Sequence, residues 1–194
     1  MTDRETLAGC LLITGTPGAG KTTVSQLVAE RLPRAARVDG DVFGIMLVSG
    51  GANLLDEDGH WNPGPEGQRQ LRLRMVNLCS VADNFAAAGF TPVADSVVET
   101  REELRFIAGR LRARPLMLVM LCPPLDVARQ RNATRAPETQ VDYDFAPLAR
   151  NQRRELGDVG WWLDSGKQTP EETADLIVAE AASRAVVSEE LLRP

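Results

Sequence analysis

Leu11-Leu12-Ile13-Thr14-Gly15-Thr16-Pro17-Gly18-Ala19-Gly20-Lys21-Thr22-Thr23-Val24 is the stretch that decides the fold. Within it, Gly15 to Thr22 spell a complete G-x-x-x-x-G-K-[ST] phosphate-binding loop. An apolar strand-like run leads in, and a helical pattern of Val24, Leu27, Val28 and Leu32 leads out. Glycines let backbone N–H groups turn inward around a phosphate, because a Cβ there would block its approach. The following helix aims its free N–H groups and the positive end of its dipole at the same anion. Lys21 can reach the β- and γ-phosphates, and the Thr22 hydroxyl can ligate Mg²⁺. Gly15, Thr16, Pro17, Gly18, Ala19, Gly20 and Thr23 complete the expected nucleotide cradle. The sequence predicts a nucleoside triphosphate site.

Composition bounds what surrounds that site. The 194 residues suffice for one domain with a substantial core, here taken as 1–194. Apolar and charged fractions of 43% and 25% are those of an ordinary globular protein. A net charge of −5 argues against a broad nucleic-acid or anionic-membrane surface, so any anion site must be local. The start, Thr2-Asp3-Arg4-Glu5, is mixed in charge and unlike a signal peptide, and no run approaches the roughly 18 apolar residues of a membrane span. Cys10, Cys79 and Cys122 lack CxxC spacing and read as buried reduced thiols. A cytoplasmic location is expected. Composition leaves the oligomeric state open.

Apolar runs alternate with helical patterns, the signature of a parallel α/β sheet. Strands are expected at Leu11–Thr14, Arg37–Val38, Thr91–Ala94, Leu116–Leu121 and Trp161–Leu163. Helices are expected at Thr22–Leu32, Glu66–Ala88, Thr100–Ala113, Leu125–Thr134 and Pro170–Val187. The expectation is five parallel strands with helices on both faces. Ser49 to Gly67 is rich in Gly, Asn, Asp and Pro, and Arg135 to Phe145 carries further turns. Long loops in such domains gather at the carboxyl ends of the strands, where ligands bind. The first is read as a substrate-side loop and the region near 131–150 as a mobile lid.

Acidic residues at strand ends come next. Asp39-Gly40-Asp41 follows the second strand: Asp41 can accept a proton from an attacking hydroxyl, and Asp39 can hold Mg²⁺ through water. The same tripeptide also fits a solvated turn with an N-cap aspartate. Asp95 ends the third strand as a second metal-orienting carboxylate or as a cap for the next helix. Arg131 and Arg135, four apart, share one helix face and can neutralise a transferring phosphoryl group, or else form a solvated basic stripe. Arg69, Arg72 and Arg74 are weaker candidates, with Arg72 kept as a substrate contact. Trp61 is a candidate aromatic wall for an organic substrate. His60, the one histidine, cannot build a metal cluster alone.

Other nucleotide-binding classes are excluded. Gly15, Gly18 and Gly20 do not give G-x-G-x-x-G, and no N-K-x-D guanine motif exists. Asp56-Glu57-Asp58-Gly59 matches D-x-x-G, but in a polar loop. The chain is too short for a remodelling ATPase with a second helical domain.

The order of these parts resembles the small P-loop kinases that act on shikimate, gluconate, adenylylsulfate and nucleotides. Within them it is most similar to the chloramphenicol 3-O-phosphotransferase family. The likeness rests on Asp39-x-Asp41, Asp56-x-Asp58-Gly59 with Gly64-Pro65-Glu66, Asp95, Arg131-x-x-x-Arg135, and Asp164-Ser165 with Pro170-Glu171-Glu172. The resemblance implies an ATP- and Mg²⁺-dependent O-phosphotransferase with Asp41 as base. It also implies that Arg131 and Arg135 belong to the lid and that Ser165-Gly166-Lys167 lie against adenine. The segment from Arg135 to Glu155 departs from the family pattern, as do Trp61 and Pro63 in the substrate loop. A metabolite or nucleotide kinase is the alternative within enzymes. A nucleotide-binding regulator acting through a protein partner is the alternative outside them; it would need an exposed apolar patch, which the sequence does not advertise.

Overall fold

Strands rich in Leu, Val and Met, with no polar alternation, demand cover on both faces, and the computed structural model shows it. Residues 7–188 and 190 are described; the mixed-charge start at Thr2 to Glu5 lies outside them. β1 (Cys10–Gly15), β2 (Ala35–Asp39), β3 (Thr91–Asp95), β4 (Leu116–Leu121) and β5 (Trp161–Leu163) form one parallel sheet in the order β2-β3-β1-β4-β5. The helices are α1 (Lys21–Arg31), α2 (Val42–Ile45), α3 (Gly64–Ala87), α4 (Arg101–Arg110), α5 (Leu125–Ala133), α6 (Ala146–Leu156) and α7 (Pro170–Arg184).

Alternate residues of the central strands feed two cores. Leu12, Leu118 and Met120 pack with Leu78, Cys79, Leu104 and Ile107 from α3 and α4. Leu11, Ile13, Met117 and Val119 pack with Val24, Val28, Ile177 and Ala181 from α1 and α7. Leu118 is fully buried, and its truncation to alanine would cost about 2–5 kcal/mol. The sheet therefore holds the carboxyl ends of β1, β2 and β3 rigidly side by side, with Ile13 opposite Asp95 and Asp39 opposite Asp95.

The structure departs from the sequence expectations in several places; α2 answers to no expected helix, and α7 ends at Arg184, short of Val187. α6 occupies 146–156, where no element was expected. Its sequence hides a helix because Pro147 opens it, Arg150, Arg153 and Arg154 crowd it, and one of its buried positions is the polar Gln152, which donates to the Val98 carbonyl at 2.9 Å. α4 stops at Arg110, because Leu111 is extended. α5 ends at Ala133, so Arg135 lies past the helix and shares no helical face with Arg131. Cys122 is half-buried beyond the end of β4, while Cys10 and Cys79 are buried; all three thiols are free. No helix among the described residues is long and apolar enough to cross a membrane.

Candidate functional site

The loop from Gly15 to Gly20 wraps back on itself. Gly15, Gly18 and Gly20 have φ of +145°, +75° and +99°, a region that disfavours side chains. A Cβ at Gly18 would sit 2.0 Å from the Ala128 carbonyl oxygen, so the loop rests directly on α5. Lys21 Nζ donates to the carbonyls of Gly15 and Thr16, both at 3.0 Å, closing the ring. α4 and α7 carry complete capping boxes, at Thr100/Glu103 and Thr169/Glu172, but no side chain caps α1 and no acid lies in its first turn. An uncapped helix start behind a glycine cradle is what an anion needs. Burial pulls the Lys21 pKa down; Asp41, Asp95 and Asp39 push it back up and Arg135 opposes them. A bound phosphate would favour its charged form.

Below the cradle, Asp95 is buried and Asp39 is half-buried. Asp95 Oδ2 accepts the Ser25 hydroxyl at 2.6 Å and Arg37 Nε at 3.1 Å. Arg37 Nη2 also donates to Asp39 Oδ2 at 2.7 Å. Burial raises the Asp95 pKa, and the Ser25 hydroxyl and Arg37 offset part of the rise. Thr22, Asp39 and Asp95 offer one hydroxyl and two carboxylates, a donor set that fits a hard divalent cation. With Arg37 on both acids, they would hold Mg²⁺ through water. Asp95 is no helix cap, since Thr100 starts α4.

Beyond Asp39, Asp41 sits at the start of α2 without capping it by a side-chain bond. Its backbone N–H goes to Asp39 Oδ1 at 2.9 Å, and its carboxylate, 68% exposed, is held by Arg74 of α3. Arg74 also donates to the Gly40 carbonyl. Trp61 stands 5.2 Å from Tyr143, centroid to centroid, across the two long loops. Arg72, expected to touch substrate, instead places its guanidinium 4.1 Å over the Phe106 ring of α4. Arg69 pairs with Glu66. The helix turn separates these three arginines, and Arg74 alone points at the site.

On the other side, Arg131 Nη2 donates to the Ser165 carbonyl at 3.0 Å, tying α5 to the loop after β5. Among the described residues Ser165 Oγ is buried with no hydrogen-bond partner, a donor and acceptor left for a ligand. Gly166 lies against Pro124, where a Cβ would come within 2.5 Å, and Lys167 is exposed beside it. The cradle, the uncapped helix and this orphaned hydroxyl together fit a nucleotide. Arg135 is exposed, and its charge bears on Lys21. Arg37, Ser25 and Tyr143 were missed in the sequence, and Arg74 stood only among three weaker candidates. Arg37 alone carried a signal, since a charge inside a strand asks for a buried partner.

Residues 11–155 match a family model described as AAA domain, a span that covers most of this single-sheet body. A sugar kinase from Janibacter sp. has a similar structure, with a TM-score of 0.66 and 18% identity over 97% of this chain and 100% of that one. The tunicamycin resistance protein of Deinococcus radiodurans gives 0.62 and 17%, over 94% and 99% of the two chains. The Mycobacterium tuberculosis APS kinase, solved with AMPPNP and APS, gives 0.60 and 16%, over 90% and 98%. No curated protein matches the chain. The chain belongs to the AAA domain family and has the five-stranded α/β fold of the small P-loop kinases.

Proposed function

We propose that this chain transfers the γ-phosphoryl group of ATP to a hydroxyl of a small organic molecule in the cytoplasm. The observation that carries the proposal is the junction of β1, β3 and β2: the cradle closed by Lys21 leaves β1 beside Asp95, and Asp41, whose N–H donates to Asp39 Oδ1, follows the strand end opposite that same Asp95. An acceptor held on Asp41 would stand beside a phosphate held on Lys21. Its oxygen would bond to the γ-phosphorus as the bond to the bridging oxygen breaks and ADP leaves, while Asp41 takes the hydroxyl proton. Lys21 and Arg135 would neutralise the charge spreading over the transferring group. Thr22, with Asp39 and Asp95 behind it, would hold Mg²⁺, which would add positive charge against the transferring group.

The resemblance to chloramphenicol phosphotransferases, and the fold shared with a tunicamycin resistance protein, favour an antibiotic acceptor; a metabolite kinase would use the same residues. The test is ATP consumption with and without a panel of hydroxylated metabolites and antibiotics, with the phosphorylated product identified by mass. Acceptor-stimulated turnover supports the proposal, and hydrolysis indifferent to every acceptor refutes it.

One observation favours a regulator instead. Ile45, Met46 and Val48, just beyond Asp41, are 78%, 63% and 94% exposed, an apolar run suited to a protein partner. Stimulation of ATP hydrolysis by a partner protein, and by no small molecule, would establish that function.

A further inference from the structure

The two ends of the sheet carry different surfaces. The cradle, Asp39 and Asp95 lie at the carboxyl ends of the strands. At the amino ends, the segments that lead into β1, β2, β3 and β4 enclose a second cavity, of about 380 Å³. Gly9, Arg34, Phe90 and Arg114 stand one on each of these segments. The six residues of β1 separate this cavity from the cradle, a span of about 20 Å at ~3.3 Å per residue. One small ligand cannot occupy both.

The cavity is lined by two cations and by no acid. Arg34 Nη2 donates to the Ala88 carbonyl at 3.2 Å, with its guanidinium 4.6 Å over the Phe90 ring. Arg114 donates to the carbonyls of Ala108 and Ala113. Main-chain carbonyls thus orient both guanidiniums without neutralising them. Among the described residues neither arginine pairs with a carboxylate. Asp83 of α3 instead accepts the backbone N–H groups of Arg112 and Ala113. A guanidinium carries five N–H donors, so both arginines keep donors for an anion.

Most of the remaining wall is apolar. Phe90 is braced edge-on by Phe85, with centroids 6.2 Å apart, and Leu7, Pro33 and Ala86 lie around it. The Thr91 hydroxyl is already donated to the Leu7 carbonyl at 2.6 Å. Gly89, at φ of +79°, adds no side chain to the rim. A ligand anion would gain charge-assisted hydrogen bonds here, and an apolar body would cover the wall. A neutral ligand would gain the wall alone.

We infer that this cavity binds a small organic anion, its carboxylate or phosphate held by Arg34 and Arg114 and its flat apolar body laid along Phe90. The site is separate from the cradle and does not depend on phosphoryl transfer.

The experiment is calorimetry on the full chain with three probes that share one ring system: 2-naphthoate, 2-naphthyl phosphate and 2-naphthylmethanol. At least one of the two anions should bind about tenfold or more tightly than the alcohol, and the tighter one names the head group. Arg34→Met and Arg114→Met should each weaken that anion about tenfold and leave the alcohol within about twofold. Arg110→Met removes an exposed charge that stacks on Phe106, away from the cavity, and should change nothing. Lys21→Ala, which takes the cation from the cradle, should leave anion binding intact. Melting temperatures report whether each variant folds, and the comparison of anions with alcohol needs no variant at all. The site is overturned if the alcohol binds as tightly as the anions, or if neither anion binds. Anion binding unmoved by both arginine variants, or lost in Lys21→Ala, overturns it equally.

Discussion

Asp39 and Asp95 end adjacent parallel strands directly opposite one another, and a single guanidinium, Arg37, spans both carboxylates. Two acids on neighbouring strands would repel strongly if left alone, and Asp95 is nearly inaccessible to water. Arg37 lets the sheet keep them there. Replacing it with methionine should destabilise the protein by about 2–4 kcal/mol, because two partly desolvated carboxylates lose their counter-charge. Urea denaturation measures this. The double variant Arg37→Met/Asp39→Asn should recover part of the loss; an identical loss in both would mean that packing, not charge, makes Arg37 necessary.

The pH dependence of stability tests Asp95 separately. Burial raises its pKa above the ordinary 3.8, against the opposing Ser25 and Arg37 contacts. Between those two values the native state binds more protons than the unfolded chain, so this contribution is present in acid and is lost as pH rises. Asp95→Asn removes it. The stability of the variant relative to the parent should therefore improve in thermal melts as pH rises above about 4, and level off once the native Asp95 has ionised. A difference that stays flat throughout, or moves the other way, would show that burial does not raise the Asp95 pKa.

The phosphate loop was legible in the sequence because its glycines, lysine and helix start are consecutive and local. So was the sheet, since Leu116 to Leu121 and Leu11 to Thr14 are buried on both faces and read as apolar runs. What the sequence concealed is set by contacts distant along the chain. Ser25 and Arg37 matter only because β3 brings Asp95 beside them, 70 and 58 residues away. Arg72 and Arg74 look alike in sequence; the turn of α3 sends one to Phe106 and the other to Asp41. α6 escaped notice because its buried side includes a hydrogen-bonded glutamine in place of an apolar residue.

Gly18 offers a test of the cradle that leaves all charged groups in place. A methyl group there would meet the Ala128 carbonyl oxygen at 2.0 Å, on a backbone with φ of +75°. Either the loop lifts from α5 or the helix shifts. Gly18→Ala should lose about 2 kcal/mol or more of stability, and the thermal stabilisation given by ATP should disappear. Gly109→Ala is the control, since nothing lies within 4 Å of its added methyl. Retained ATP stabilisation in Gly18→Ala would remove the loop as the phosphate site.

Asp41 and Arg135 should separate chemistry from binding. Asp41 is exposed and, among the described residues, held by the side chain of Arg74 alone, so its loss leaves the cradle undisturbed. Asp41→Ala should lower kcat about 10²- to 10⁴-fold while the Kd for ATP changes little. Arg135 lies beyond the end of α5, exposed, and its charge bears on Lys21. A cation of that kind stabilises charge that grows during transfer more than charge already present. Arg135→Ala should therefore reduce kcat more than it weakens ATP binding, whereas Lys21→Ala should damage both. Steady-state kinetics with ATP affinities from calorimetry read the three patterns. If Arg135→Ala raised the ATP Kd and left kcat intact, Arg135 would be a ground-state contact, and the lid would play no part in the phosphoryl-transfer step.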